Sequence, residues 1–225
     1  MSELTVIFLT CNELPEAWQE YHKQVLLEAI GDAELITMSM KPMDMPGINL
    51  LQDKPRSLSN IYWQILRACN IATTKYIAIA EADSLYPKEH FLYRPKKEKF
   101  AYNRTHWSLF TWGDPIYSWR DRQGNYTMVA EREAVIKALE ERYEKYPDGT
   151  PAMHTGEIGR WMVEHWLKLT PNKIELFYTD IAVINICHEL GMDDRSRRHR
   201  KSLGHIQAYS IPHWGESSEL IKHFK

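Results

Sequence analysis

Three short apolar runs rich in β-branched or small residues, Leu4 to Thr10, Ala33 to Met38 and Lys75 to Ala80, alternate with helical patterns. This alternation constrains the chain more than any other feature. After the first run, Pro15 suits a helix start, and Trp18, Tyr21, Val25, Leu26 and Ile30 recur at the spacing of an amphipathic helix before Gly31 stops it. Ser57 or Ser59 caps a second helix, whose apolar stripe is Ile61, Ile65, Leu66 and Cys69. Strand, helix, strand, helix, strand implies parallel strands joined by right-handed crossovers, an α/β architecture. Lys41 to Arg56, with three prolines, a glycine and two aspartates, reads as a long loop.

Beyond residue 90 the pattern changes. Ala101 to Asn103, His106 to Trp112, Pro115 to Trp119 and Tyr126 to Val129 read as short strands, with Asp121 to Asn125 as a hairpin turn between the last two. Glu131 to Tyr146 and Thr155 to Leu169 read as helices, and Lys173 to Tyr178 and Ile181 to Cys187 as further strands. A length of 225 residues suits one domain. Its expected division is a first half, 1–90, with a binding rim, and a second half, 91–225, ending in a basic tail.

The net charge of −2 removes a global electrostatic drive toward nucleic acid. Cys11, Cys69 and Cys187 lack framework or zinc-finger spacing, so free thiols in a reducing compartment are expected. The N-terminal apolar run is too short for a signal peptide, and no stretch has the length of a membrane span; the expected location is the cytoplasm, with no membrane partner.

Ligands bind parallel sheets beyond the carboxyl ends of the strands. Asn12-Glu13 and Glu81-Ala82-Asp83 both fall there. Two carboxylates two positions apart after a buried strand form a hard-oxygen site suited to Mn2+ or Mg2+, although such a pair is more often a solvated turn.

The segments Val6 to Glu13, Ser59 to Trp63 and Tyr76 to Asp83, in that order, resemble the GT-A class of nucleotide-sugar glycosyltransferases, in the style of its family-2-like group. The resemblance covers residues 4–90 and, weakly, Tyr126 to Glu133. It implies a single GT-A-like (Rossmann-like) domain with a mixed central sheet flanked by helices, residues 1–90 being its nucleotide-sugar-binding half and 91–225 its acceptor half with the basic C-terminal tail. It also implies an enzyme that transfers a hexosyl or pentosyl group from a UDP- or GDP-linked donor. In that class the first strand ends at the nucleoside, which makes Thr10, Asn12, Glu13 and Asn60 candidate donor-binding residues. The acidic motif, usually Asp-x-Asp, is Glu-x-Asp here, so Asp83 is the firmer metal ligand and Glu81 the less firm. A late histidine often completes the metal site, with His188 the candidate and His205 and His213 its competitors. In inverting members a carboxylate near Glu157 serves as base, so Glu157 joins Asp83 as a catalytic candidate; alternatively, Glu157 simply favours a helix N-terminus.

Arg195, Arg197, Arg198, Arg200 and Lys201 form a basic run. It could close over a donor diphosphate through Arg195 and Arg198, grip a polyanion such as DNA, or be a solvated loop. A modified base in phage DNA is accordingly one candidate acceptor. A second function class is a non-catalytic nucleotide- or nucleic-acid-binding module using residues 195–201. A third is a sugar nucleotidyltransferase, disfavoured because the glycine-rich N-terminal loop expected there is missing. No Walker-type or dinucleotide fingerprint is present.

Overall fold

The computed structural model describes residues 2–189 and 203–224. The basic run Arg195 to Lys201, and with it Arg195 and Arg198, lies outside the described residues.

Strands β1 (Leu4–Leu9), β2 (Glu34–Ser39), β3 (Ile48–Leu51), β4 (Tyr76–Glu81), β6 (Lys99–Asn103), β9 (Met128–Glu131) and β10 (Lys173–Phe177) form a seven-stranded sheet in the order β10-β6-β9-β4-β1-β2-β3. β9 runs against both of its neighbours, while all other pairs are parallel. The sheet is therefore mixed. β1 and β4 are buried almost throughout, as near-continuous apolar runs require when both faces are covered. Helices α1 (Glu16–Ile30) and α3 (Lys88–Leu92) lie on one side, α2 (Leu58–Ile71) and α4 (Arg132–Lys145) on the other. This is a single α/β domain with a mixed central sheet flanked by helices.

A second sheet, β12-β8-β7-β11-β5, packs beside the first. It contains β5 (Ser84–Leu85), β7 (His106–Phe110), β8 (Tyr117–Trp119), β11 (Val183–Cys187) and β12 (Ile206–Ala208). Its core joins Trp18 of α1 to Leu109, Ile184 and Ile186 and to Leu220 and Phe224 near the C-terminus.

Three sequence expectations are corrected. The segment Lys41 to Arg56 is not all loop, because it contains β3. Gly47, at φ 81°, passes so close to β2 that a Cβ there would lie 2.3 Å from the Leu35 carbonyl oxygen. Only glycine allows that approach, and the half-exposed Ile48–Leu51 edge that follows shows no alternation strong enough to announce a strand. Asp121 to Asn125 is not a hairpin, because β8 and β9 belong to different sheets; the segment crosses between them and ends in a 3-10 turn, Asn125–Thr127. Finally, the helix expected from Thr155 begins only at Trp161 as α5 (Trp161–Leu167). The buried Glu164 carboxylate accepts from Gly159 N at 2.6 Å and from Asn172 N at 3.0 Å, which holds residues 156–160 in a turn instead. Glu157 therefore lies on a loop and not at a helix start.

Candidate functional site

The rim beyond β1 and β4 is built by both sheets. Antiparallel β9 pairs with β4 only as far as Ala78, so the backbone of Glu81 emerges beyond that ladder. The Tyr86 hydroxyl takes its place, accepting from Glu81 N at 2.9 Å. Ala82 N donates to Leu9 O at 3.1 Å, and the Ala82 carbonyl accepts from Trp18 Nε1 at 2.7 Å. Ile186 N of the second sheet donates to Asp83 O at 2.7 Å. The Ser84 carbonyl meets His22 Nε2 at 2.9 Å. Every carbonyl from Ala82 to Ser84 is thereby fixed, as buried backbone requires.

The Asp83 carboxylate is oriented in turn. Asn185 Nδ2 donates to Ser84 Oγ, and Ser84 Oγ donates to Asp83 Oδ1, both at 3.1 Å. The other oxygen, Oδ2, lies 3.5 Å from His188 Nε2. His188 follows β11, whose antiparallel pairing with β5 sets Ile186 opposite Asp83, and the imidazole two residues further on meets the Asp83 carboxylate. The His188 ring rests on Phe224, 5.3 Å between centroids.

Glu81 Oε1 accepts from Asn125 Nδ2 at 3.2 Å. Burial pushes the Tyr62 and Tyr86 hydroxyls well above the usual phenol range, and the charge of Glu81 acts in the same direction on both. The Glu157 charge acts on Tyr62 in the same direction. Glu157 accepts from Arg160 Nη1 at 3.2 Å. Arg142, 2% exposed, holds that loop by donating to Gly156 O at 3.2 Å while lying over the Tyr62 ring at 4.5 Å.

The candidate donor-binding residues are close by but engaged within the fold. Thr10 Oγ1 accepts from Asn12 N at 3.1 Å. Asn12, at φ 57°, turns its Oδ1 to Met40 N and Lys41 N at 2.8 and 2.9 Å, tying the β1 and β2 ends together. Glu13 pairs with Arg56. Asn60, 5% exposed, bridges Gln52, Lys54 and Gln64. These four shape the rim more than they project into it. His205 and His213 lie in the C-terminal segment, His213 at φ 72°. Sequence reasoning missed Asn125, Asn185, Ser84 and Tyr86. Asn125 and Asn185 reach the acidic turn only through the crossing segment and the second sheet, while Ser84 and Tyr86 adjoin it in sequence with no local pattern that announces their contacts.

Among the described residues, no three His, Cys, Asp or Glu side chains converge as metal ligands. Two donors, one carboxylate and one imidazole, do meet. Two ligands at right angles, each about 2.1 Å from an ion, stand about 3.0 Å apart. The 3.5 Å between Asp83 Oδ2 and His188 Nε2 fits that arrangement after a small side-chain movement. An ion that keeps several waters and shares substrate phosphates needs no more protein ligands than this.

Solved structures place the architecture. The inositol-1-phosphate CTP transferase from T. maritima superposes with a TM-score of 0.51 at 10% identity, over 88% of this chain and 95% of that one. The shared architecture is the GT-A (Rossmann-like) α/β fold. Two further structures with this type of fold score lower. A glycosyltransferase involved in glycosylation of the major capsid of PBCV-1 gives 0.49 at 11% identity, over 88% of this chain and 98% of that one. The mannosyltransferase PcManGT from Pyrobaculum calidifontis, in complex with GDP-Man and Mn2+, gives 0.47 at 14% identity, over 84% of this chain and 58% of that one. No protein-family model and no curated protein matches the sequence. No helix among the described residues is long and apolar enough to cross a membrane.

Proposed function

We propose that the protein is a metal-dependent glycosyltransferase that moves a sugar from a UDP- or GDP-linked donor to an acceptor. The observation that carries this reading is the Asp83 and His188 pair, with Oδ2 and Nε2 3.5 Å apart on the carboxyl rim of a nucleotide-sugar-transferase fold. Asp83 and His188 would hold Mn2+ or Mg2+ on the donor diphosphate, and the bound ion would supply positive charge to the departing nucleoside diphosphate. Ser84 and Asn185 keep the carboxylate aimed. Glu81, bound by Asn125, and Glu157, bound by Arg160, supply negative charge beside the transferred sugar, and Glu157 is the candidate base for the acceptor hydroxyl.

The nucleotidyltransferase alternative is disfavoured by the β1–α1 connection. It contains no glycine, and Asn12 stitches it to Met40 and Lys41, so no open backbone cradle for a triphosphate is formed there. A DNA acceptor and the arginine run as a diphosphate clamp both depend on residues 195–201.

Calorimetry against UDP and GDP, with Mn2+ and with chelator, tests the reading. The expected result is Mn2+-dependent binding of one nucleotide, reduced at least tenfold by Asp83→Ala and by His188→Ala in proteins that remain folded. Nucleotide binding that is indifferent to metal and to both substitutions refutes it.

A further inference from the structure

The outer edge of β10 and the exposed face of α5 form one apolar strip outside the site described above. Among the described residues, no strand pairs with that edge of β10. Ile174 and Leu176 alternate along it and share a face, and exposed Tyr178 follows one residue past its end in the same alternation. They are 36%, 45% and 71% exposed, while the intervening Phe177 is buried. Glu175 also points inward, toward Tyr93 and Lys99. Beside this edge, α5 exposes Trp161 at 68%, Met162 at 41% and Trp166 at 46%. The turn leading into α5 adjoins β10, since a Cβ on Gly159 would lie 2.2 Å from Ile174 Cγ2, and Glu164 of α5 accepts from Asn172 N, just before β10, at 3.0 Å. Two half-exposed tryptophans next to an unpaired apolar strand edge are unusual on a monomer.

We propose that this strip is a homodimer interface in which β10 pairs antiparallel with β10 of a second copy across a two-fold axis at Leu176. A strand edge is its own complement under such an axis. In this register Leu176 faces Leu176 of the partner, and Ile174 faces Tyr178 in both directions. Glu175 then faces Phe177, so no like charges meet, and three apolar pairs stack on the α5 side. Large side chains bury about 150–250 Å² when fully covered. At their observed exposures the six residues offer roughly 650 Å² per copy, or about 1,300 Å² in a dimer. That lies within the range of about 1,200–2,000 Å² for stable specific interfaces. The dimer would join two seven-stranded sheets into one and press on the Gly159 turn behind Glu157.

Sedimentation velocity on the full chain tests this directly. The expected result is a dimer at about 100 μM, a hundredfold above a micromolar Kd. Leu176→Lys and Trp161→Glu should each sediment as monomers with unchanged far-UV circular dichroism. The register is tested separately with Leu176→Cys and Ile174→Cys in a Cys11→Ser background. Directly opposed residues stand about 4.5–5.5 Å apart at Cα, within disulfide reach. Mild oxidation should therefore link Leu176→Cys to its partner and leave Ile174→Cys unlinked. A wild-type monomer at 100 μM, a dimer that survives Leu176→Lys, or equal cross-linking at both positions overturns the proposal.

Discussion

Removing the Tyr86 hydroxyl isolates the contact that closes the end of β4. Tyr86 is 1% exposed, and its oxygen is the acceptor for Glu81 N at 2.9 Å. Burial and the nearby Glu81 charge keep the phenol protonated at all ordinary pH values. In Tyr86→Phe the ring still fills its place against Phe91 and His90, so no cavity term arises. What remains is a backbone N–H without an acceptor, because β9 has stopped pairing at Ala78, together with the loss of the hydroxyl's hydrogen bond with the Ser84 side chain. An orphaned buried donor costs about 1–3 kcal/mol. For a chain of this size each kcal/mol moves Tm by about 2–4 °C, so a fall of roughly 4–8 °C is expected for the midpoint of that range. Urea unfolding gives the free energy. Amide exchange reads the site itself, and if Glu81 N–H opens locally, 2 kcal/mol corresponds to a roughly thirtyfold loss of protection. If the protein acts as proposed, donor nucleotide affinity should fall in parallel, because the same amide fixes the start of the Glu81 to Asp83 turn. A variant with wild-type unfolding free energy and wild-type protection at Glu81 would refute the view that Tyr86 terminates this strand.

Two further outcomes follow from packing and charge. Burial lowers His22 and His106 to about 4 and His90 to about 3, from an ordinary 6.5. A folded-state pKa below the unfolded one makes the contribution complete above pH 6.5 and lost as pH falls toward the folded values. Between pH 7 and 5 the three together should cost on the order of 5 kcal/mol, read as a drop in the urea midpoint. His90→Leu should remove about a third of that slope; an unaltered slope would place the pH dependence elsewhere. Gly159→Ala forces a Cβ toward Ile174 Cγ2 at φ 78° and should destabilise by about 1–3 kcal/mol, with faster proteolysis of the 150–160 segment. Wild-type Tm and cleavage rate would remove strain from the account of that turn.

The parts of the fold legible in the sequence are those in which burial and periodicity agree. β1, α1, β2, α2 and β4 show their ends through Pro15, Gly31 and Ser57, whose hydroxyl accepts from Asn60 N at 3.0 Å. β3 was hidden because an exposed edge strand behind Gly47 has no buried face to reveal it. The late start of α5 was hidden because Glu164, an ordinary helical residue by type, is spent on Gly159 and Asn172. Within the site, the acidic turn and His188 were readable as strand-end residues. The second sheet that unites them was not, since pairing between β5 and β11 is a relation between distant segments. Asn12 and Asn60 were placed at the rim, but polar type alone does not show that their amides are consumed by Met40, Lys41 and Gln52.

The hydrogen bond from Asn185 to Ser84 joins residues 101 positions apart in the chain. The carboxylate it helps to aim therefore has no fixed direction until β11 has docked. Early folding can draw on the parallel β1, β2 and β4 pairings, whereas the orientation of the Asp83 carboxylate must wait for that long loop to close. A chain emerging from the ribosome can assemble the β1, β2 and β4 part of the sheet well before the Asp83 carboxylate is aimed. Under the proposed function, metal and donor would stabilise the finished protein without guiding the path to it.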